Sequence, residues 1–254
     1  MNQKTTGLFF RTIPAILVFC AAILSSGCAS RYIPPSGRAD LAGITTASMQ
    51  ESFAAKPEAK FPAYIAIARI QSPQYQNYYT EREGGVYGQG RYSVVTVKED
   101  GEDEVLPAIG KLPEVGGITG ISTMLLPTDL KSDRDLREAA ARLKADMLLL
   151  YTFDTSFHEN ENAVALSVVT LGLSPTHKIS VHVTASALLI DTRTGFVYAT
   201  LEANENRRLT SNIWESSASA DRARQQAEKT AFTKLIAEFE KSWPQIVQRA
   251  KQGA

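Results

Sequence analysis

The feature that most restricts the fold lies at the C-terminal end, in SASADRARQQAEKTAFTKLIAEFEKSWPQIVQRA. Ala223, Ala227, Ala231, Leu235 and Phe239 recur at steps of four, and Phe232 and Ile236 widen the row. That spacing predicts a long helix with one apolar face, which is stable only against another layer. Pro244 lacks an amide hydrogen and clashes with the preceding turn, so it is expected to open a final short helix capped by Ser242.

The covering layer is legible upstream. In KISVHVTASALLI, residues Ile179, Val181, Val183, Ala185, Ala187 and Leu189 alternate along one face of a strand. DTRTG follows as a turn, with Gly195 able to take a positive φ, and FVYATLEAN returns with Val197, Ala199 and Leu201 on one side. PAYIAIARIQ is apolar on both faces and predicts a central strand, and RYSVVTV and GITGISTMLLP predict two more. EVLPAIGKLP reads as a short helix. In KSDRDLREAAARLKADMLLLYTFD, Ser132 and Asp135 form a capping pair. Leu136, Ala140 and Leu143 share a helical face, and MLLLYTF continues as a buried strand. AVALSVVTLGLSP is either a strand or an apolar flap. Helices alternating with strands in this order define an α/β protein, a mixed sheet with packed helices and a long C-terminal helix.

The front of the chain carries an address. Lys4 and Arg11 precede an apolar run from Ile13 to Leu24, and Ser25, Ser26 and Gly27 lead to Cys28. A basic start, a short apolar middle and small residues describe a secretory signal peptide over residues 1–27. The run is shorter than the roughly 20 residues that span a bilayer. The stretch AILSSGCAS resembles the lipobox of bacterial lipoproteins, with Ser25 where leucine is commonest. The resemblance implies cleavage between Gly27 and Cys28, a diacylglyceryl thioether on Cys28 and an acylated amine, palmitate among the chains. Ala29 after the cysteine implies passage to the outer membrane, facing the periplasm.

With Lys4 and Arg11 removed from 27 basic and 27 acidic residues, the remainder is two charges acidic. That argues against nucleic acid as a partner, which requires a basic face to neutralise phosphates. Of the two cysteines, Cys20 leaves with the signal and Cys28 is taken by lipid, so no internal disulfide is expected. Residues 28–60, with Pro34, Pro35, Ser36 and Gly37, are expected to form a lipidated tether, with a short helix near Ser48 to Ala55. Residues 61–254 then form one α/β domain.

LREAAARLKADMLLLYTFD, the hairpin around LLIDTRTGFVYAT and the C-terminal helix together resemble a group of bacterial envelope proteins. The group comprises the curli-secretion lipoproteins, the N-terminal domain of the Tol-system propeller protein and the lipoprotein activators of peptidoglycan synthases. The resemblance implies an anticodon-binding-like sandwich of two or three layers over about Phe61 to Ala250. It implies a module that binds envelope proteins or itself, anchored to the membrane through Cys28. A subunit of a secretion or transport assembly is an alternative.

Chemistry-bearing motifs are sparse. His158, His177 and His182 do not stand at ligand spacing, and His158, Glu159 and Glu161 share one polar loop, so no metal is expected. No nucleophile elbow occurs, and neither GVYGQG nor GGITG sits between a strand and a helix as a phosphate loop must. No cofactor and no catalytic set is expected. The alternative is a hydrolase of cell-wall or carbohydrate substrates, with Asp146, Asp154 or Glu159 converging in a cleft. Glu102, Asp103 and Glu104 read as a solvated acidic loop. SPQYQNYYTEREGGVY offers Tyr75, Tyr78, Tyr79 and Tyr87 as interaction candidates, because tyrosine combines contact area with a hydrogen-bonding tip.

Overall fold

AYIAIARIQ becomes β1 (Ala63–Gln71), the strand around which the sheet assembles. The computed structural model describes residues 34–45, 47–97, 99, 101–159, 177–211 and 216–253. Between β1 and the C-terminal strands lie β2 (Val86–Tyr87), β3 (Gln89–Gly90), β4 (Ser93–Val95), β5 (Val115–Gly120) and β6 (Asp129–Leu130). β7 (Met147–Glu159), β8 (His177–Asp191) and β9 (Val197–Ser211) complete the set. One edge of β1 pairs parallel with β7. The other edge is divided: β5 runs parallel to Ala63–Ile67, and β4 runs antiparallel to Arg69–Gln71. β8 and β9 continue antiparallel, giving a mixed seven-stranded sheet in the order β2-β4-β1-β7-β8-β9 with β5 beside β1. β3 and β6 form a separate small pair.

The helices are α1 (Leu41–Ile44), α2 (Met49–Ala54), α3 (Tyr78–Glu83), α4 (Glu102–Val105), α5 (Asp133–Arg142) and α6 (Ser216–Gly253). Strand alternation sorts the core into two sets. Ile65, Ile67, Leu149, Phe153, Val181, Val183, Ala185 and Leu189 face α6. Ala66, Ile70, Leu148, Leu150, Leu188 and Ile190 face α5, which covers them with Leu136, Ala139 and Ala140. Helices on both faces make this a three-layer α/β sandwich. Asp135 starts α5 as expected, accepting the Ser132 amide at 3.0 Å. On α6 the alanine row is fully buried, and its small side chains let the helix lie close to the sheet.

The structure corrects several expectations. α6 runs through Pro244 without a break. Packing on either side holds it: Trp243 stacks on Phe239 at 5.5 Å and donates its indole N–H to the Pro113 carbonyl at 2.7 Å, and Ile246 is buried. Pro244 itself is exposed, so Pro244→Ala restores a helical amide at no packing cost. That variant is expected to gain about 1–3 kcal/mol of stability, read from its urea midpoint. RYSVVTV supplies only the three residues of β4. GITGISTMLLP ends as a strand at Gly120 and turns into a 3-10 helix, Thr123–Leu125. EVLPAIGKLP divides between α4 and a 3-10 helix, Leu106–Lys111. A register shift opposite Leu189 and Ile190 turns Tyr198 inward and leaves Val197 exposed.

The tether expected over 28–60 is bound to the fold from Ser36 onward, where the Ser36 amide donates to the Gln76 carbonyl at 3.0 Å and the Gln76 amide donates back to Ser36 Oγ at 2.9 Å. Arg38 bridges Gln71, the Ala39 amide donates to Thr152 Oγ1 at 3.0 Å, and Ala39 and Ile44 enter the α5-side core. Their apolar side chains have an uncovered stretch of sheet to bury. The AVALSVVTLGLSP segment lies outside the described residues, as do Gly27 and Cys28.

Candidate functional site

β1 buries an arginine among alanines and isoleucines, and Arg69 dictates what must surround it. Its guanidinium meets Glu102 Oε1 at 2.7 Å, Glu228 Oε2 at 3.6 Å and Glu99 Oε1 at 3.8 Å. It also lies over the Phe153 ring at 4.7 Å. α6 contributes a second arginine. Arg224 binds Glu228 at 2.8 Å and Asp221 at 2.9 Å, and pairs with Glu99. Neutral donors complete the cluster: Tyr151 O–H to Glu102 at 2.8 Å, Thr155 O–H to Glu228 at 2.8 Å and the Asn77 amide to Glu99 at 3.0 Å. All six ionic residues are 8% exposed or less. They join α6, β1, β7, α4 and the loop beneath α3 in one network.

Two guanidiniums face four carboxylates, so the acids do not titrate alike. Burial works to raise the pKa of Glu99, but Arg69 and Arg224 outweigh it and hold this carboxyl below its usual range. Burial dominates at Glu102 and Glu228, and the same arginines only partly offset it, so both are raised. Burial likewise raises the Tyr75 and Tyr151 phenols. A proton is therefore held on this acidic set at higher pH than in the unfolded chain.

Two hollows flank the sheet. One, of about 430 Å³, opens where β4 and β5 part along β1, with Arg69 and Tyr151 at its inner end and Val95, Ile118, Ser122 and Thr123 among its walls. The Arg69 Nε–H is buried without a hydrogen-bond partner among the described residues. The second, of about 640 Å³, is an open groove between the docked N-terminal segment and β8–β9. Leu41, Thr45, Leu188 and Val197 line it, with Arg38, Asp40 and Glu202 also around it. Close by in sequence, α2 exposes Met49 and Phe53 one turn apart.

The tyrosine expectation divides. Tyr75 is not a surface contact: it is 2% exposed because its phenol accepts from Asn77 at 3.0 Å and from Arg69 at 3.4 Å. Tyr78, Tyr79 and Tyr87 are half-buried, Tyr78 accepting from Arg82 and Tyr87 donating to the Leu126 carbonyl. The acidic run is not uniformly solvated either. Glu102 is in the cluster, while Glu104 is exposed and pairs with Lys229 at 2.7 Å. Asp146 and Asp154 do not converge. Asp146 directly precedes β7 and Asp154 lies eight positions further along it, roughly 26 Å away, and Asp146 is held by Arg193 at 3.1 Å while Asp154 is exposed. His158 and His182 are exposed, and the side chains of Glu159 and His177 lie outside the description, as does Glu161. Among the described residues no group of histidine, cysteine or acidic side chains could hold a metal ion, and no helix is long and apolar enough to cross a membrane.

The fold and site define a three-layer α/β domain locked by a buried ion cluster. No family model and no curated protein matches the chain. Among solved structures it is similar to protein XCC0632 from Xanthomonas campestris, described under the family model DUF330. That likeness has 13% identity and a TM-score of 0.36, over 85% of this chain and 98% of the other. A putative neuraminyllactose-binding hemagglutinin homolog from Helicobacter pylori gives 11% identity and a TM-score of 0.39, over 78% and 91%. The hypothetical protein CT253 from Chlamydia trachomatis gives 13% and 0.33, over 70% and 95%. At these scores none of the three bears on what this chain does.

Proposed function

We propose that the chain is a lipoprotein of the bacterial envelope, held by acyl chains on Cys28 at the outer membrane and facing the periplasm. It works there as a protein-interaction or assembly module. The observation that carries this reading is the docked N-terminal segment. Ser36, the first residue of the segment bound to the fold, lies eight positions beyond Cys28, a reach of at most about 29 Å. An anchor at Cys28 would therefore keep the domain close to the bilayer. The same segment forms one wall of the open groove, whose lining is small, apolar and rimmed by charge. Such a surface suits recognition of a partner segment, with the buried ion cluster keeping its sheet rigid.

Three measurements test the reading. Mass spectrometry of the native protein is expected to show Cys28 as the first residue, carrying diacylglyceryl and acyl groups. Cys28→Ala is expected to move most of the protein from the membrane to the soluble fraction, since two acyl signals suffice for stable anchoring. A photo-crosslinking residue at Ala42, exposed in the groove, is expected to capture an envelope protein other than a copy of this chain that the same residue at exposed His182 does not. Bare Cys28, or Gly27 still attached, would overturn the anchor. Equal labelling from both positions would overturn the groove.

A further inference from the structure

β9 closes one side of the sheet. β8 pairs with it from Val197 to Ser211, and among the described residues no strand pairs with its outer edge. An open edge of this length is a template for another strand. Its sequence is unusual for such an edge. Residues 200–210 read TLEANENRRLT, in which three of the five pairs about Glu205 are identical. Threonine matches threonine, leucine matches leucine and Asn204 matches Asn206. Of the two pairs that differ, Glu202 and Arg208 are opposite in charge, and Ala203 stands against Arg207.

We infer that the outer edge of β9 is a self-association surface, on which two copies of this chain pair antiparallel about an axis through Glu205. In that register each residue i faces residue 410 minus i of the other copy. Glu202, Asn204, Asn206 and Arg208 are all exposed on the sheet face away from α6. Each copy then sets Glu202 against Arg208 and Asn204 against Asn206, cross-strand pairs of the stabilising kind. Sliding by two residues either way breaks both charge pairs, so the register is specified. On the opposite face Glu205 would meet its own copy. Lys234 of α6 already binds Glu205 at 2.6 Å, and Arg207 of the second copy lies diagonally next to it. α6 lies over β8 and β9. With strands about 4.8 Å apart, the two α6 helices come to rest on the order of 10–15 Å from each other, room enough to lie side by side.

The inference goes beyond the anchored-module reading: it concerns the outer edge of β9, which shares Thr200 and Glu202 with the groove, and it does not depend on Cys28. The test is a cysteine scan of the full-length protein in cells that produce it, with the unaltered chain as control. Glu205→Cys lies on the axis, where facing Cα atoms are about 4.5–5.5 Å apart, within disulfide range. It is expected to give a disulfide-linked dimer. Arg208→Cys lies roughly 20 Å from its copy and is expected to give none. Sedimentation of the detergent-purified protein supplies the second arm. Glu202→Arg and Arg208→Glu are each expected to weaken the dimer about ten-fold, and the two together to restore it. Absence of the Glu205→Cys dimer, equal linkage at both positions, or a double variant no tighter than the singles would overturn the pairing. A failed anchor shows instead as a change at Cys28, with the β9 results intact.

Discussion

Arg224→Met is expected to destabilise the domain by about 3–5 kcal/mol, because it leaves buried carboxylates without their shared partner. The guanidinium serves Asp221, Glu228 and Glu99 together. It is fully buried, so water cannot take its place. Against a total stability of about 5–15 kcal/mol for a domain, that loss is large. Urea unfolding followed by circular dichroism measures it. Adding Glu228→Leu to the same chain is expected to recover part of the loss, since an apolar group costs less there than an orphaned acid. A double variant weaker than Arg224→Met alone would show that Glu228 is held mainly by Arg69 and Thr155.

The same cluster sets a pH dependence whose sign follows from its pKa shifts. Glu102 and Glu228 are raised in the folded state, so the fold binds protons there that the unfolded chain has released. Their contribution is fully present below the ordinary glutamate value of 4.5 and is lost as pH rises through their folded values. Glu99 is lowered, so its contribution is present above 4.5 and is lost as pH falls through its folded value. Removing Arg224 strips the charge that favours ionised Glu228 and Glu99. The Arg224→Met deficit should therefore grow from pH 5 to pH 9, and a deficit constant over that range would contradict this account of the cluster.

The layers were readable from the chain because they follow from periodicity. Val181 to Leu189 face α6 as alternation predicts, and Ala223 to Phe239 fill the matching stripe of the helix. The ion cluster was not readable as a unit, because its members come from five separate stretches and only the fold brings them together. It did leave traces. Arg69 stands in a strand that is otherwise apolar on both faces, and a buried charge requires partners. Arg224 and Glu228 each directly follow an alanine of the buried row. A helix face wide enough to include Phe232 and Ile236 includes their positions too. The acidic run misled because three like charges suggest solvent, whereas Glu102 alone turns inward to Arg69 and Tyr151. Pro244 misled because propensity is local, while the contacts of Trp243 and Ile246 are not.

Asp191→Ala is expected to cost about 3–4 kcal/mol, the second large effect, and it acts through backbone rather than through charge pairing. Asp191 is completely buried at the end of β8. Its Oδ1 accepts the amides of Arg193 at 2.8 Å and Thr194 at 3.1 Å, shaping the turn in which Gly195 takes φ of 73°. Its Oδ2 accepts the Glu58 amide at 2.8 Å and the Tyr198 hydroxyl at 2.7 Å. One carboxylate thus ties the β8–β9 turn to the segment that enters β1. Alanine would leave all four donors without it, and hydrogen bonds to a charged acceptor are the costlier kind to lose. Asparagine retains one oxygen for the turn but presents an N–H₂ group toward the Glu58 amide, so Asp191→Asn is expected to cost roughly half as much. The structural reading is separable from simple loss of stability. Freed from Asp191, residues 56–60 should open before the domain unfolds, and trypsin should cut after Lys60 faster than global unfolding permits. Cleavage at Lys60 that merely tracks the urea-unfolded fraction would place Asp191 in the turn alone, with no hold on the N-terminal segment.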